Sequence, residues 1–116
     1  MKIYQLQNTN NRPWSNQFVI RFDSYNIEIL QSYNSLVCMV DRNERHITFG
    51  DDWDYSATTG RAVDKFLADN GFESVRRDTI RKALERGEMV DDLGRVWTVA
   101  RGCDDFFEDF FRGEGK

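Results

Sequence analysis

The sequence predicts an α+β fold: an antiparallel sheet of four to six strands with two short helices packed against it. Three observations lead there. Up to residue 49, apolar side chains recur with period two, the signature of half-buried strands. From residue 62 they recur as Ala62, Val63, Phe66 and Leu67, the spacing of one helix face. The single proline, Pro13, leaves most of the 116 residues open to regular structure. That length suits one domain with a small core. It is expected over residues 1–100, with residues 101–116 forming an acidic, Phe-rich C-terminal segment.

Lys2–Gln7 alternates about Ile3 and Leu6 and makes a short first strand. Asn8–Asn16 is polar, Asn-rich and holds Pro13, so it reads as a loop. Trp14 within it is either a core plug or an exposed contact, and the plug is favoured. In Gln17–Phe22, Phe18, Ile20 and Phe22 point one way and Val19 and Arg21 the other. After a tight turn at Asp23-Ser24, Tyr25, Ile27 and Ile29 alternate with Asn26, Glu28 and Leu30, which completes a hairpin. Ser35–Val40 is more uniformly apolar and belongs at the sheet centre. A polar turn, Asp41–Glu44, leads to a strand over Arg45–Phe49. Short polar turns make an antiparallel meander the economical arrangement.

The first helix carries the stripe ending at Leu67, with Thr58 or Thr59 as its N-cap and Asn70-Gly71 as its left-handed stop. The second runs from about Val75 to Arg86. Ser74 is its N-cap, Ile80, Ala83 and Leu84 its inner face, and Gly87 its stop. Glu88–Val99 reads as a hairpin turning at Leu93-Gly94. In the C-terminal segment Phe106, Phe107, Phe110 and Phe111 would lie along one side of a short helix, docked on the sheet or offered to a partner.

Composition narrows the function. Nine Phe, four Tyr and three Trp favour a folded domain. A net charge of −4 argues against a general nucleic-acid binder, yet the charge is uneven. Arg76–Arg86 holds five basic and two acidic residues, and Gly102–Lys116 holds five acidic and two basic ones. Such asymmetry points to a partner, against the plainer reading of solvated faces. Cys38 and Cys103 are too few for a disulfide scaffold, which fits a reducing, cytoplasmic setting. The longest apolar run, Leu36–Val40, is too short to span a bilayer.

At Ser32-Tyr33-Asn34, and again at Trp53-Asp54-Tyr55-Ser56-Ala57-Thr58-Thr59 with Phe66-Leu67 and Gly87-Glu88 beyond, the chain resembles a family of small proteins of bacteriophage and prophage genomes. The resemblance covers roughly residues 30–90. It implies a phage or mobile-element origin, and neither an enzymatic activity nor a defined partner. The residues themselves offer a structural account. Trp53 and Tyr55 would wedge between sheet and helix, Tyr33 would join them, and Ser56, Thr58 and Thr59 would satisfy helix-start N–H groups. An anion site using these hydroxyls and Arg61 is the rival. Asp51, Asp52 and Asp54 oppose it by charge.

A search for chemistry yields little. The aspartates Asp51, Asp52 and Asp54 lack EF-hand spacing. His46 is the single histidine, so a histidine-based metal cluster is excluded. No nucleophile elbow, phosphate loop or CxxC occurs. Glu28, Asp91 and Asp92 are the remaining acid–base candidates. We therefore expect no enzyme, no cofactor and no metal.

The leading expectation is an accessory protein that binds and inhibits a host protein stoichiometrically, in the manner of anti-CRISPR inhibitors of nucleic-acid enzymes. Its partner-binding candidates are Asp104, Asp105, Phe107, Glu108, Asp109 and Phe111, carboxylates that would occupy a phosphate-binding groove beside apolar contacts. The alternative is a nucleic-acid-binding regulator using Arg76, Arg77, Arg81, Lys82 and Arg86. There Arg77 and Arg81, four apart on one face, would reach neighbouring phosphates.

Overall fold

The computed structural model describes residues 1–73 and 75–102. Seven strands and two α-helices follow in the order β1 (Lys2–Gln7), β2 (Pro13–Phe22), β3 (Ile27–Ser32), β4 (Ser35–Asp41), β5 (His46–Phe49), α1 (Ala57–Asp69), α2 (Arg77–Arg86), β6 (Glu88–Val90) and β7 (Val96–Arg101). The fold is α+β, and the spatial order of the sheet is β1-β2-β3-β4-β5-β7-β6.

The meander expected for the first five strands is present, every pair antiparallel. The sheet is nevertheless mixed, because β7 pairs with β5 in parallel, His46 opposite Thr98 and Phe49 opposite Arg101. Two helices separate these strands. Strand direction after a crossover is set by where the helices return the chain, while a tight turn enforces reversal. The expectation of a purely antiparallel sheet of four to six strands is thereby corrected on both counts.

Several boundaries also move. Strand β2 begins at Pro13, so Trp14 lies on a strand and packs, partly buried, against the main core. Residues 23–25 form one 3-10 turn ending on Asn26 at φ 55°, so β3 starts at Ile27 and leaves Tyr25 half exposed. Helix α1 is capped by Ser56, whose Oγ accepts the Thr59 N–H at 3.1 Å, in place of Thr58 or Thr59. Ser56→Ala should lower the free energy of unfolding by about 0.5–2 kcal/mol, read by urea titration. Helix α2 starts two residues late, at Arg77. Its first turn is closed by the Thr79 hydroxyl, which accepts the Arg76 N–H at 3.4 Å. Ser74 lies outside the described residues. Gly71 (φ 95°) and Gly87 (φ 78°) adopt the left-handed stops the sequence predicts.

The helices cover one face of the sheet. There Val19, Leu30, Val40, Ile47 and Phe49 pack with Val63, Phe66, Leu67, Ile80 and Ala83 in the main core. On the opposite face Ile20, Phe22, Ile27, Ile29 and Met39 form a second buried cluster. Strand β3 is consequently apolar toward both faces, and β4 sits fourth of seven, as its uniformly apolar sequence suggests. Among the described residues no helix is long and apolar enough to cross a membrane.

Candidate functional site

The two segments singled out by resemblance meet at the start of α1. Trp53 is buried in the loop before the helix, edge-on to Phe49 with ring centroids 5.7 Å apart. Hydroxyls then tie the helix start to the end of β3. Ser56 Oγ donates to Thr59 Oγ1 at 3.2 Å, and Thr59 Oγ1 shares a buried hydrogen bond of 2.9 Å with Ser32 Oγ. Ser35 Oγ donates to Asp52 at 2.9 Å, holding β4 to the same loop. A buried hydroxyl without a partner costs free energy, so this chain of bonds specifies how the loop seats.

Trp53 wedges between sheet and helix as expected, but Tyr33 and Tyr55 do not join it. Tyr55 is 78% exposed and Tyr33 48% exposed. Both line a groove of about 190 Å³ whose floor includes Val37 and Thr59. Tyr33 occupies the two-residue turn between β3 and β4 with φ 56°, a left-handed conformation uncommon for a bulky side chain. Its backbone N–H donates to Asn16 O at 2.7 Å, which fixes the turn. Alternation alone counts Tyr55 as a partner of Trp53, because they are two residues apart. The segment is turn and not strand, with the Trp53 N–H donating to Gly50 O at 3.2 Å and the Tyr55 N–H to Asp52 O at 3.1 Å, so alternation does not hold there. A tyrosine in a two-residue turn was the available signal for Tyr33.

The basic helix is present, with much of its charge already matched. Asp54 stands between Arg77 and Arg81, at 3.4 Å from Arg77 Nε and 2.6 Å from an Arg81 Nη. Arg81 also meets Asp78 at 3.1 Å, and Arg77 donates to the carbonyl of Ala57 at 3.1 Å. Gly60 makes room for this contact, since a methyl there would fall on the Arg77 guanidinium. Arg86 lies 4.0 Å from Glu88. Arg76 and Lys82 are exposed and form no ion pair among the described residues. Arg77 and Arg81 share a face, as expected, and on that face they share a carboxylate.

Arg76 contributes to a second cleft, of about 540 Å³, between α1 and the β1–β2 connection. Trp14, Arg61, Asp64 and Lys65 also line it. Arg61 thus belongs to this cleft and not to an anion site with the motif hydroxyls. One Asp64 oxygen is buried without a hydrogen-bond partner, and burial pushes its carboxyl above the ordinary range. The partner-binding candidates Asp104, Asp105, Phe107, Glu108, Asp109 and Phe111 lie outside the described residues.

The remaining acid–base candidates are held by structural bonds. Glu28 accepts from Arg21 at 2.7 Å, Tyr4 at 3.1 Å and Asn70 at 3.1 Å. Burial and this carboxylate push the Tyr4 phenol up to about 12. Asp91 accepts from the Trp97 indole at 2.9 Å, the Arg95 guanidinium at 2.7 Å and two backbone N–H groups. Asp92 receives the Glu73 N–H at 3.1 Å. His46 Nδ1 bonds Thr98 Oγ1 at 2.6 Å. Full burial pushes the Cys38 thiol up, away from the reactive thiolate. No group of three metal-ligating side chains occurs among the described residues.

A model for a family of unknown function, DUF8033, matches residues 1–82, a span that holds both tyrosines of the groove. No curated protein and no solved structure matches the chain.

Proposed function

We propose, on the premise that this chain belongs to the DUF8033 family, that it is a phage or mobile-element accessory protein that binds a host protein stoichiometrically. The reading extends to inhibition of a nucleic-acid enzyme of host defence, in the cytoplasm of the infected or lysogenic cell. One observation carries the binding role. Tyr33 and Tyr55 stand 48% and 78% exposed around one groove, while Trp53 and Phe49 beside them are buried. Tyrosine offers large, rigid contact area at low entropic cost, and it is enriched among residues that dominate interface energetics. The hydroxyl bonds beneath the groove fix the backbone segments that carry both tyrosines, which reduces the ordering cost of binding.

The test is capture of the tagged full-length protein from bacterial lysate treated with nuclease, followed by titration of the recovered partner. A single protein at one-to-one stoichiometry is expected. Tyr33→Ala and Tyr55→Ala should each weaken it by roughly 30-fold, about 2 kcal/mol. Reversal of Asp104, Asp105, Glu108 and Asp109 to Lys measures separately what the acidic segment adds. Recovery of nucleic acid alone, or affinity indifferent to both tyrosines, overturns the reading.

A second reading, a nucleic-acid-binding regulator, is favoured by the Trp14 cleft, which Arg61, Lys65 and Arg76 line together with the aromatic ring and with Asp64 and Glu73. Cations beside a stacking platform suit single strands. Arg77 and Arg81, paired with Asp54, contribute less to it than Arg76 and Lys82. Binding of this kind must weaken steeply with salt through counterion release.

A further inference from the structure

At the end of the sheet where the β2–β3, β4–β5 and β6–β7 turns come together, three arginines converge with no carboxylate in the same wall. Arg42, Arg45 and Arg95, with Asn26, Asn70 and Trp97, line a cavity of about 340 Å³. Arg95 is ion-paired with Asp91 at 2.7 Å, whereas Arg42 and Arg45 meet no carboxylate among the described residues, and an anion in the cavity would offset their charge. We propose that this cavity is a binding site for a small phosphate ester, held through its phosphate by the three guanidiniums.

The hydrogen-bond inventory supports the assignment. Arg42 directs Nε and one Nη at a single neutral oxygen, Asn70 Oδ1, at 3.1 and 2.6 Å. Arg95 uses Nε on Asp91, which leaves both its Nη nitrogens without an acceptor among the described residues. The Arg45 guanidinium has no hydrogen-bond or ion-pair partner among the described residues. Two carboxylates lie just behind the wall, and neither meets Arg42 or Arg45: Asp91 pairs with Arg95 through Nε, and Glu28 bonds Asn70. Glu28 is bonded to Arg21, Tyr4 and Asn70, and Asp91 is surrounded by its own donors. Guanidinium donors in a fixed fork match phosphate oxygens, often two at a time.

The site is also rigid. Asn70 is only 7% exposed, and its amide N–H groups bond Glu28 and the Phe66 carbonyl, so the oxygen that seats Arg42 has one orientation. Trp97 is fixed by its bond to Asp91 and by an edge-on contact with Phe72 at 5.3 Å. Arg45 itself sits at φ 50°, a strained backbone for a non-glycine residue. Strain of this kind clusters at ligand sites. A cavity of this size falls in the range of small-molecule sites and exceeds what an inorganic phosphate fills.

Titration of ¹⁵N-labelled full-length protein with inorganic phosphate, adenosine monophosphate and a short DNA duplex at low salt tests the proposal. Shifts in the Arg42, Arg45, Arg95 and Trp97 signals are expected, with the monophosphate ester binding more tightly than inorganic phosphate. Arg45→Gln removes no internal contact, so its Tm should be unchanged while affinity falls on the order of 10-fold or more. Arg76→Gln with Lys82→Gln should leave binding intact. Absence of saturable shifts, an affinity unchanged by Arg45→Gln, or equal loss in the Arg76/Lys82 control overturns the site. Binding of the duplex but not the ester also overturns it and assigns the arginines to a nucleic-acid backbone.

Discussion

Trp53→Ala should lower the free energy of unfolding by about 3–5 kcal/mol, the range for removing a large buried aromatic. Trp53 is 3% exposed and meets Phe49 edge-on, so truncation removes both apolar burial and an oriented ring contact. The surroundings cannot close over the gap. The loop is held from both ends, by Ser35 on Asp52 and by the Ser56 cap on α1. A domain of this kind has only about 5–15 kcal/mol in total, so the loss is a large fraction. Urea unfolding should show a lower midpoint at unchanged slope. The same substitution loosens Asp54 and Tyr55, the next two residues, and should weaken partner binding as well. A loss below about 1.5 kcal/mol would mean that Trp53 does not seal the core.

Asp91→Asn should lower Tm by on the order of 10 °C and change the acid limb of the stability curve. The carboxylate is buried, which on its own would oppose ionisation. Hydrogen bonds from Trp97, from Arg95 by backbone and guanidinium, and from the Leu93 N–H outweigh that and hold the Asp91 carboxyl below the usual range. The sign follows from linkage. A folded-state pKa below the unfolded value of about 3.9 contributes stability that is fully present above that value. It is lost as pH falls from there through the depressed folded pKa. Asparagine cannot bind the proton, so its stability should be lower at pH 7 and fall less between pH 4 and pH 2. Urea midpoints of both proteins across that range decide it. Parallel curves would show that Asp91 does not carry the acid sensitivity.

Much of the fold was legible because it depends on neighbours along the chain. Alternation at Phe18–Phe22 and Ile27–Leu30, the helical stripe at Ala62–Leu67 and the stops at Gly71 and Gly87 need only local geometry. The N-caps were less so: Ser56 and Thr59 have the same capping chemistry, and which one caps depends on where Thr59 finds Ser32. The site was legible only in outline. The two segments flagged by resemblance do come together, yet the exposure of Tyr33 and Tyr55 does not follow from their spacing. Arg77 and Arg81 shared a face as expected, and nothing local indicated that Asp54, more than twenty residues earlier, would sit between them.

Residue order alone was enough for the class of fold, the antiparallel meander of β1–β5 and the two amphipathic helices, because period and turn chemistry are short-range properties. The parallel pairing of β5 with β7, the burial of β3 on both faces and the meeting of Arg42, Arg45 and Arg95 at one end of the sheet were decided by tertiary structure. Each depends on which surfaces exclude water together once the helices have crossed the sheet. That is a property of side chains tens of residues apart, and no pattern between neighbours encodes it.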